Sequence, residues 1–203
     1  MHYSTLRIVV RPQPVYDGGV DARYHLVALT LPGNQTRQLE ELKGRLFREA
    51  GLASARTLEP LVPLYWCEER GAAQLPHRST LRLGAPLHLG RFETRDGLIL
   101  LTIHPQEVLE SLGTQLERMI SRSSRTLFAP QFGIFMAHTE GLSSRELRRL
   151  CEDMDGAVPA ATVRALSVSL LRISVRGEQE RFWHRLSWEE LVTAPVRKPR
   201  AQE

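Results

Sequence analysis

Near the start of the chain, the spacing of apolar residues changes from that of a strand to that of a helix and then back to that of a strand. Tyr24 to Leu31 is an apolar-rich run that stops at Pro32-Gly33-Asn34, a pattern typical of a strand before a turn. A helix is predicted from about Thr36 to Ala50, with Gly51 at its stop position. One face of this helix carries the apolar residues Leu39, Leu42, Leu46 and Phe47.

The run Leu61 to Cys67 contains Pro63 and therefore predicts an edge or irregular strand. Another strand or two are predicted between Leu81 and Phe92, and an earlier one at Thr5 to Val10. Asp96-Gly97 is a strong hairpin signal that leads into the apolar run LILLTI. The two flanking segments are therefore predicted to pair antiparallel.

The second half repeats this order of elements. Pro105 suits the first turn of a helix to about Arg122, and the run FGIFMAH, residues 132 to 138, predicts a second core strand. Ser143 to Glu146 is a capping box that opens another helix. The last strands are predicted at Ala165 to Val175 and Arg181 to Trp188.

The repeated order of strand, helix and further strands predicts an α+β fold. We expect residues 1–190 to form a single bilobal, pseudo-duplicated domain, with lobes at about 24–94 and 97–190 and a flexible basic tail at 191–203. Two antiparallel sheets would form a cleft with the helices outside, and Leu64 and Ile134 would lie on central strands.

Composition places the chain among ordinary globular proteins. Apolar residues make up 42% of the 203 residues and charged residues 25%, and the apolar runs are too short to cross a membrane. The two cysteines lie in apolar runs without a CxxC pair, which favours buried thiols in a reducing compartment and hence a cytoplasmic location.

Arginine dominates the basic residues. Of 27 basic residues only Lys43 and Lys198 are lysines, and the formal net charge is +4. Arginine suits bidentate contacts with phosphate, so RNA or a nucleotide is an admissible partner. The alternative is that most of these arginines are simply solvated.

The first core strand and the phrase LPGNQTRQLEELKGRLFREAGL resemble the two-histidine phosphoesterase superfamily, which includes RNA 2',3'-cyclic phosphodiesterases and 2'-5' RNA ligase-like enzymes. The resemblance spans about residues 24–190, and the closing ERFWHRLSW is similar to the last strand of that family. It implies a bilobal fold in which each lobe carries a Pro-His-x-Thr-Leu strand. The two histidines of such a protein face one another across the cleft.

Neither motif is intact in this chain. On the family's pattern, Leu61 takes the first histidine position and Pro63 the threonine position after it, while Gln131 and Gly133 take the second pair. The family's reaction needs one imidazole to deprotonate water and another to protonate the leaving alkoxide. Leucine and glutamine do not titrate, so the resemblance implies a non-catalytic homologue.

The resemblance then implies that the inherited cleft binds a phosphate-containing ligand, such as an RNA end or nucleotide, or a protein partner. Gln131 retains donors for a phosphate oxygen. By strand alternation Tyr65 shares a face with Leu61 and Pro63, where its ring could stack on a base, although a core position is the alternative. The candidate cleft residues are Leu61, Pro63, Tyr65, Gln131 and Gly133.

Two other functions stay open. An active phosphodiesterase could use relocated histidines, since Pro76-His77-Arg78-Ser79-Thr80-Leu81 is a near copy of the motif with one extra residue, and His138 ends the second core strand. The extra residue would turn the side chains after His77 to the other face of the sheet, which argues against His77 as a relocated catalytic residue. The other alternative is a purely structural interaction scaffold.

We expect no metal and no cofactor, because neither metal-ligand spacing nor a glycine-rich phosphate loop is present.

Overall fold

The computed structural model describes residues 22–67, 81–119, 133–159, 162–163, 166–175 and 186–196. The strand predicted at Thr5 to Val10 lies outside these ranges. The first five described strands are β1 Ala22–Thr30, β2 Leu61–Cys67, β3 Leu87–Arg95, β4 Leu98–His104 and β5 Gly133–His138. The remaining described strands are β6 Thr162–Val163, β7 Ser167–Val175 and β8 Leu186–Pro195. The described helices are α1 Gly33–Ala50, α2 Gln106–Met119 and α3 Ser144–Asp155, with a short 3-10 helix at Ala53–Arg56.

These strands form two antiparallel sheets, which confirms the predicted α+β class. The first sheet has the order β2-β1-β7-β8 and the second has the order β5-β4-β3-β6. In each sheet a strand, a helix and an edge strand follow one another along the chain, as β1-α1-β2 and as β4-α2-β5. The two sheets therefore repeat one arrangement.

The predicted boundary between the lobes is wrong. Strand β3 was assigned to the first lobe, but it pairs with β4 in the second sheet through the hairpin at Asp96 and Gly97, where φ is 50° and 78°. Strands β7 and β8 were assigned to the second lobe, but they complete the first sheet. β7 pairs with the whole of β1, from Ala22 opposite Val175 to Thr30 opposite Ser167.

Leu64 and Ile134 lie on edge strands rather than on the predicted central ones. β2 and β5 each pair with one neighbour only within the described residues. Pro63 explains the position of β2, because proline lacks the N–H that a second neighbouring strand would need. β2 and β5 lie next to each other where the two sheets meet.

The buried face of α1 differs from the predicted one by one residue. Phe47 was predicted to point inward but is 45% exposed, whereas Lys43 is only 1% exposed. Leu39, Lys43 and Leu46 follow the i, i+4, i+7 spacing of one helical stripe, and Phe47 falls beside it. Gly51 ends the helix at φ 70°, as predicted.

The C-terminal strand extends beyond its predicted end. The predicted tail begins at residue 191, but β8 runs to Pro195, and the Val196 N–H donates to the Leu166 carbonyl at 2.8 Å. Ala194 is buried, so residues 191–196 belong to the packed domain.

The predicted capping box of α3 is present, with Ser143 and Glu146 bonded reciprocally. Within the described residues, no helix is both long and apolar enough to cross a membrane.

Candidate functional site

Leu61 begins β2 and is 1% exposed. Its neighbours form a separate apolar cluster on one face of the first sheet: Leu26, Ala28, Leu171 and Ile173. Leu58 and Trp188 pack against this cluster. The position that the resemblance assigns to a catalytic histidine is thus filled by an aliphatic side chain within closed apolar packing.

Tyr65 does not share a face with Leu61 and Pro63, so that prediction is wrong. Val27 pairs with Tyr65 while Ala28 pairs with Pro63, which leaves Leu64 as an extra residue in a β-bulge. The bulge turns Tyr65 to the other face, where it is 2% exposed within the main core. A ring buried in this way presents no surface on which a base could stack.

Gly133 begins β5 opposite Thr102. A Cβ atom added to it would lie 3.2 Å from both the Leu100 Cβ and the Leu101 carbonyl oxygen, so the absence of a side chain permits close packing against β4. It offers no hydroxyl for a phosphate. Gln131 and His77 lie outside the described residues.

His138 lies at the other end of β5, about 17 Å along the strand from Gly133 at the usual rise per residue. Its backbone N–H donates to Ser54 Oγ at 2.8 Å, and its Nδ1 accepts from the Glu140 N–H at 3.2 Å. Burial lowers the pKa of His138, and the charge of Glu140 opposes that shift. The structure therefore places His138 in the contact between the 3-10 helix and β5, apart from Gly133.

A polar network continues the face of the first sheet beyond the Leu61 cluster. Ser169 alternates with Leu171 on β7 and so shares that face. Its Oγ donates to the Glu190 carboxylate at 2.6 Å and lies 3.1 Å from Thr193 Oγ1 and 3.2 Å from Thr30 Oγ1. One end of the face is therefore apolar and the other end is hydroxylic and acidic.

This polar end opens into a pocket of about 540 Å³ beside the start of α1. We call it the acidic pocket, and its polar lining residues are Thr30, Thr36, Arg37, Glu40, Glu59, Glu190 and Thr193. Glu59 precedes Leu61 of the degenerate motif by two residues. These carboxylates come from α1, from the segment before β2 and from β8, so no local sequence signal brings them together.

The charge of the acidic pocket is negative, with three carboxylates and one guanidinium. Partial burial raises the pKa of Glu59, and the nearby charges of Glu190 and Glu40 raise it further, while Lys43 opposes them. Such an arrangement favours a ligand group that carries positive charge or donates hydrogen bonds, because each carboxylate is stabilised by its approach.

Lys43 lies close to two carboxylates of the acidic pocket, those of Glu40 and Glu59. Its Nζ donates to the Leu58 carbonyl at 2.5 Å and lies 5.1 Å from the centroid of the Phe135 ring. Burial lowers its pKa to about 7, against the opposing charges of Glu40 and Glu59. This side chain connects α1, the segment before β2, and β5. Sequence reasoning missed it, although its spacing from Leu39 indicated an inward position.

The chain is similar in structure to E. coli LigT. The crystal structure of LigT complexed with NADP+ has 13% sequence identity to this chain and a TM-score of 0.48, and the match covers 88% of this chain and 99% of LigT. No family model matches the sequence, and the search of curated proteins returned no match.

The described residues do not contain a group of three or more histidine, cysteine or acidic side chains arranged to hold a metal ion. Cys151 is buried, and that burial together with the charge of Asp155 raises the pKa of its thiol to about 11. A thiol with this pKa stays protonated near neutral pH, which disfavours Cys151 as a nucleophile.

Proposed function

We propose that this chain is a non-catalytic relative of the two-histidine phosphoesterases and that it acts by binding. The observation that carries this proposal is the environment of Leu61, which is 1% exposed within an apolar cluster at the first histidine position. Proton transfer at that point would need a titrating group in contact with solvent or substrate. Among the described residues, the apolar cluster around Leu61 contains no titrating side chain.

The sequence leaves two kinds of ligand open, a phosphate-containing one and a protein partner. The acidic pocket favours the second, because a phosphate group would meet the carboxylates of Glu40, Glu59 and Glu190 at close range. A guanidinium or ammonium group of a partner protein would instead pair with them. The hydroxyls of Thr30 and Thr193 add acceptors for the remaining N–H groups. We infer that the ligand is a basic segment of a protein.

Catalysis is tested with 2',3'-cyclic nucleotides and with RNA that ends in a cyclic phosphate. We expect the purified chain to open neither substrate above the buffer blank, because Leu61 cannot move a proton. The variants His77→Ala and His138→Ala are the controls. Turnover that survives purification and disappears in either variant would establish the relocated-histidine enzyme instead.

Binding is tested by fluorescence anisotropy with a labelled tetra-arginine peptide. We expect the peptide to bind, and the double variant Glu59→Gln/Glu190→Gln to weaken binding by about tenfold, which corresponds to the loss of about 1.4 kcal/mol. The matched control is Glu41→Gln, because Glu41 is exposed on α1 and does not line the pocket.

A labelled, 5'-phosphorylated RNA oligonucleotide serves as the competing ligand in the same assay. One outcome would favour a phosphate-containing ligand over a protein partner. In it the RNA binds and the peptide does not, and the affinity for RNA falls as salt rises and falls again in Gln131→Ala. Peptide binding that is unchanged in the double variant would exclude the acidic pocket as the site.

A further inference from the structure

We propose that His88 and His104 form a binding site for a divalent transition-metal ion on the second sheet. The two residues stand directly opposite each other on β3 and β4. Side chains directly opposite on antiparallel strands lie on one sheet face with Cβ atoms about 5 Å apart, close enough for two imidazoles to share one ion. This proposal is independent of the acidic pocket and its ligand.

Both imidazoles are accessible and held by their surroundings. His88 and His104 are both exposed. A Cβ atom on Gly90 would lie 2.9 Å from His104 Nε2 and 2.8 Å from Cδ2, so the ring of His104 lies against β3, the strand that carries His88. Glycine at position 90 leaves the space that this ring occupies.

Thr162 approaches His88 from the other side. Thr162 on β6 pairs with His88, and its Oγ1 lies 3.5 Å from His88 Nδ1. A hydroxyl at this nitrogen orients the imidazole and leaves Nε2 for a metal ion, as outer partners of metal-bound histidines commonly do. His104, His88 and Thr162 thus form a row across three adjacent strands.

The chemistry of the row favours a cation. Imidazole nitrogens suit Zn²⁺, Ni²⁺ and Cu²⁺, and a site with two protein ligands leaves positions for water. An anion is favoured where cationic side chains lie close to the site. Arg91, the nearest cationic residue along β3, is paired with Glu93 at 3.2 Å.

Isothermal titration of the full chain with ZnCl₂ and with NiCl₂ tests the site. We expect one ion to bind at this site, and either His88→Ala or His104→Ala to weaken that binding by at least about tenfold, since each removes one of two ligands. Thr162→Val should give a smaller loss. His138→Gln is the matched control and should leave the titration unchanged, and circular dichroism checks the fold of each variant.

Three outcomes would overturn the proposal. The first is the absence of binding by both ions, and the second is binding that His88→Ala and His104→Ala leave unchanged. The third is heat of binding with inorganic phosphate that the two variants abolish, because that result would identify an anion site. The variant Glu59→Gln/Glu190→Gln should retain metal binding, which separates this test from the test of the acidic pocket.

Discussion

Replacing Lys43 with methionine should remove a large pH dependence from the stability of the fold. Burial lowers the pKa of Lys43 to about 7 from 10.5, so between these values the unfolded chain carries a proton that the folded chain lacks. The free energy of unfolding therefore rises with pH across this interval. The contribution of this one residue across the whole interval is on the order of 5 kcal/mol.

The lowered pKa of Lys43 determines the direction in which stability changes with pH. Below about pH 7 Lys43 is charged in both states, and the folded protein bears the full cost of burying that charge. Above pH 10.5 it is neutral in both states, and this cost is absent. Compared with Lys43→Met, the wild-type chain should thus be least stable at neutral and acidic pH and should improve as pH rises.

Urea unfolding of both proteins from about pH 6 to about pH 10 measures this difference, and subtraction cancels the titration of other groups. The matched control is Lys198→Met, which changes the other lysine of the sequence. A difference between wild type and Lys43→Met that stays constant over this range would contradict the buried, neutralised lysine.

Removing the Glu140 carboxylate should destabilise the contact between the two sheets. This carboxylate accepts hydrogen bonds from the backbone N–H groups of Ala53 and Ser54 at 3.0 Å and 2.6 Å. It thus joins the segment after β5 to the 3-10 helix that precedes β2. Two charge-assisted bonds of this kind are worth about 3 kcal/mol together, and Glu140→Ala leaves both donors without that acceptor.

Chemical unfolding of Glu140→Ala measures this loss, with Glu140→Gln as a variant that keeps one acceptor oxygen. Glu41→Ala is the control at an exposed site, where we expect a change below about 0.5 kcal/mol. If Glu140→Ala unfolded at the same urea concentration as wild type, these hydrogen bonds would not contribute to the association of the sheets.

Most helices and strands of this fold are predictable from local patterns. Gly51, the Asp96-Gly97 turn and the Ser143 capping box each act through backbone geometry within a few residues, and all three are present as predicted. The assignment of strands to sheets was not predictable in this way. β7 pairs with β1 across about 140 residues of sequence, and neither strand contains a residue that identifies its distant partner.

In the candidate site, too, local features could be predicted from the sequence and long-range contacts could not. Leu61 and Pro63 could be assigned from the sequence because the motif pattern is local, but the bulge at Leu64, which turns Tyr65 into the core, depends on how β2 pairs with β1. The acidic pocket was missed because Glu40 and Glu190 are 150 positions apart and meet only in the folded chain.

The nested order of the two sheets has a consequence for folding during synthesis. Strands β3 to β6 lie in one continuous stretch, residues 87–163. β1 pairs with β2 on one edge, but its other edge is paired only after β7 has been synthesised. A chain synthesised only to residue 166 therefore contains every described strand of the second sheet, while one edge of β1 still lacks its partner β7. The long sequence separation of β1 and β7 makes their pairing slower to form than a local pairing such as the β3–β4 hairpin.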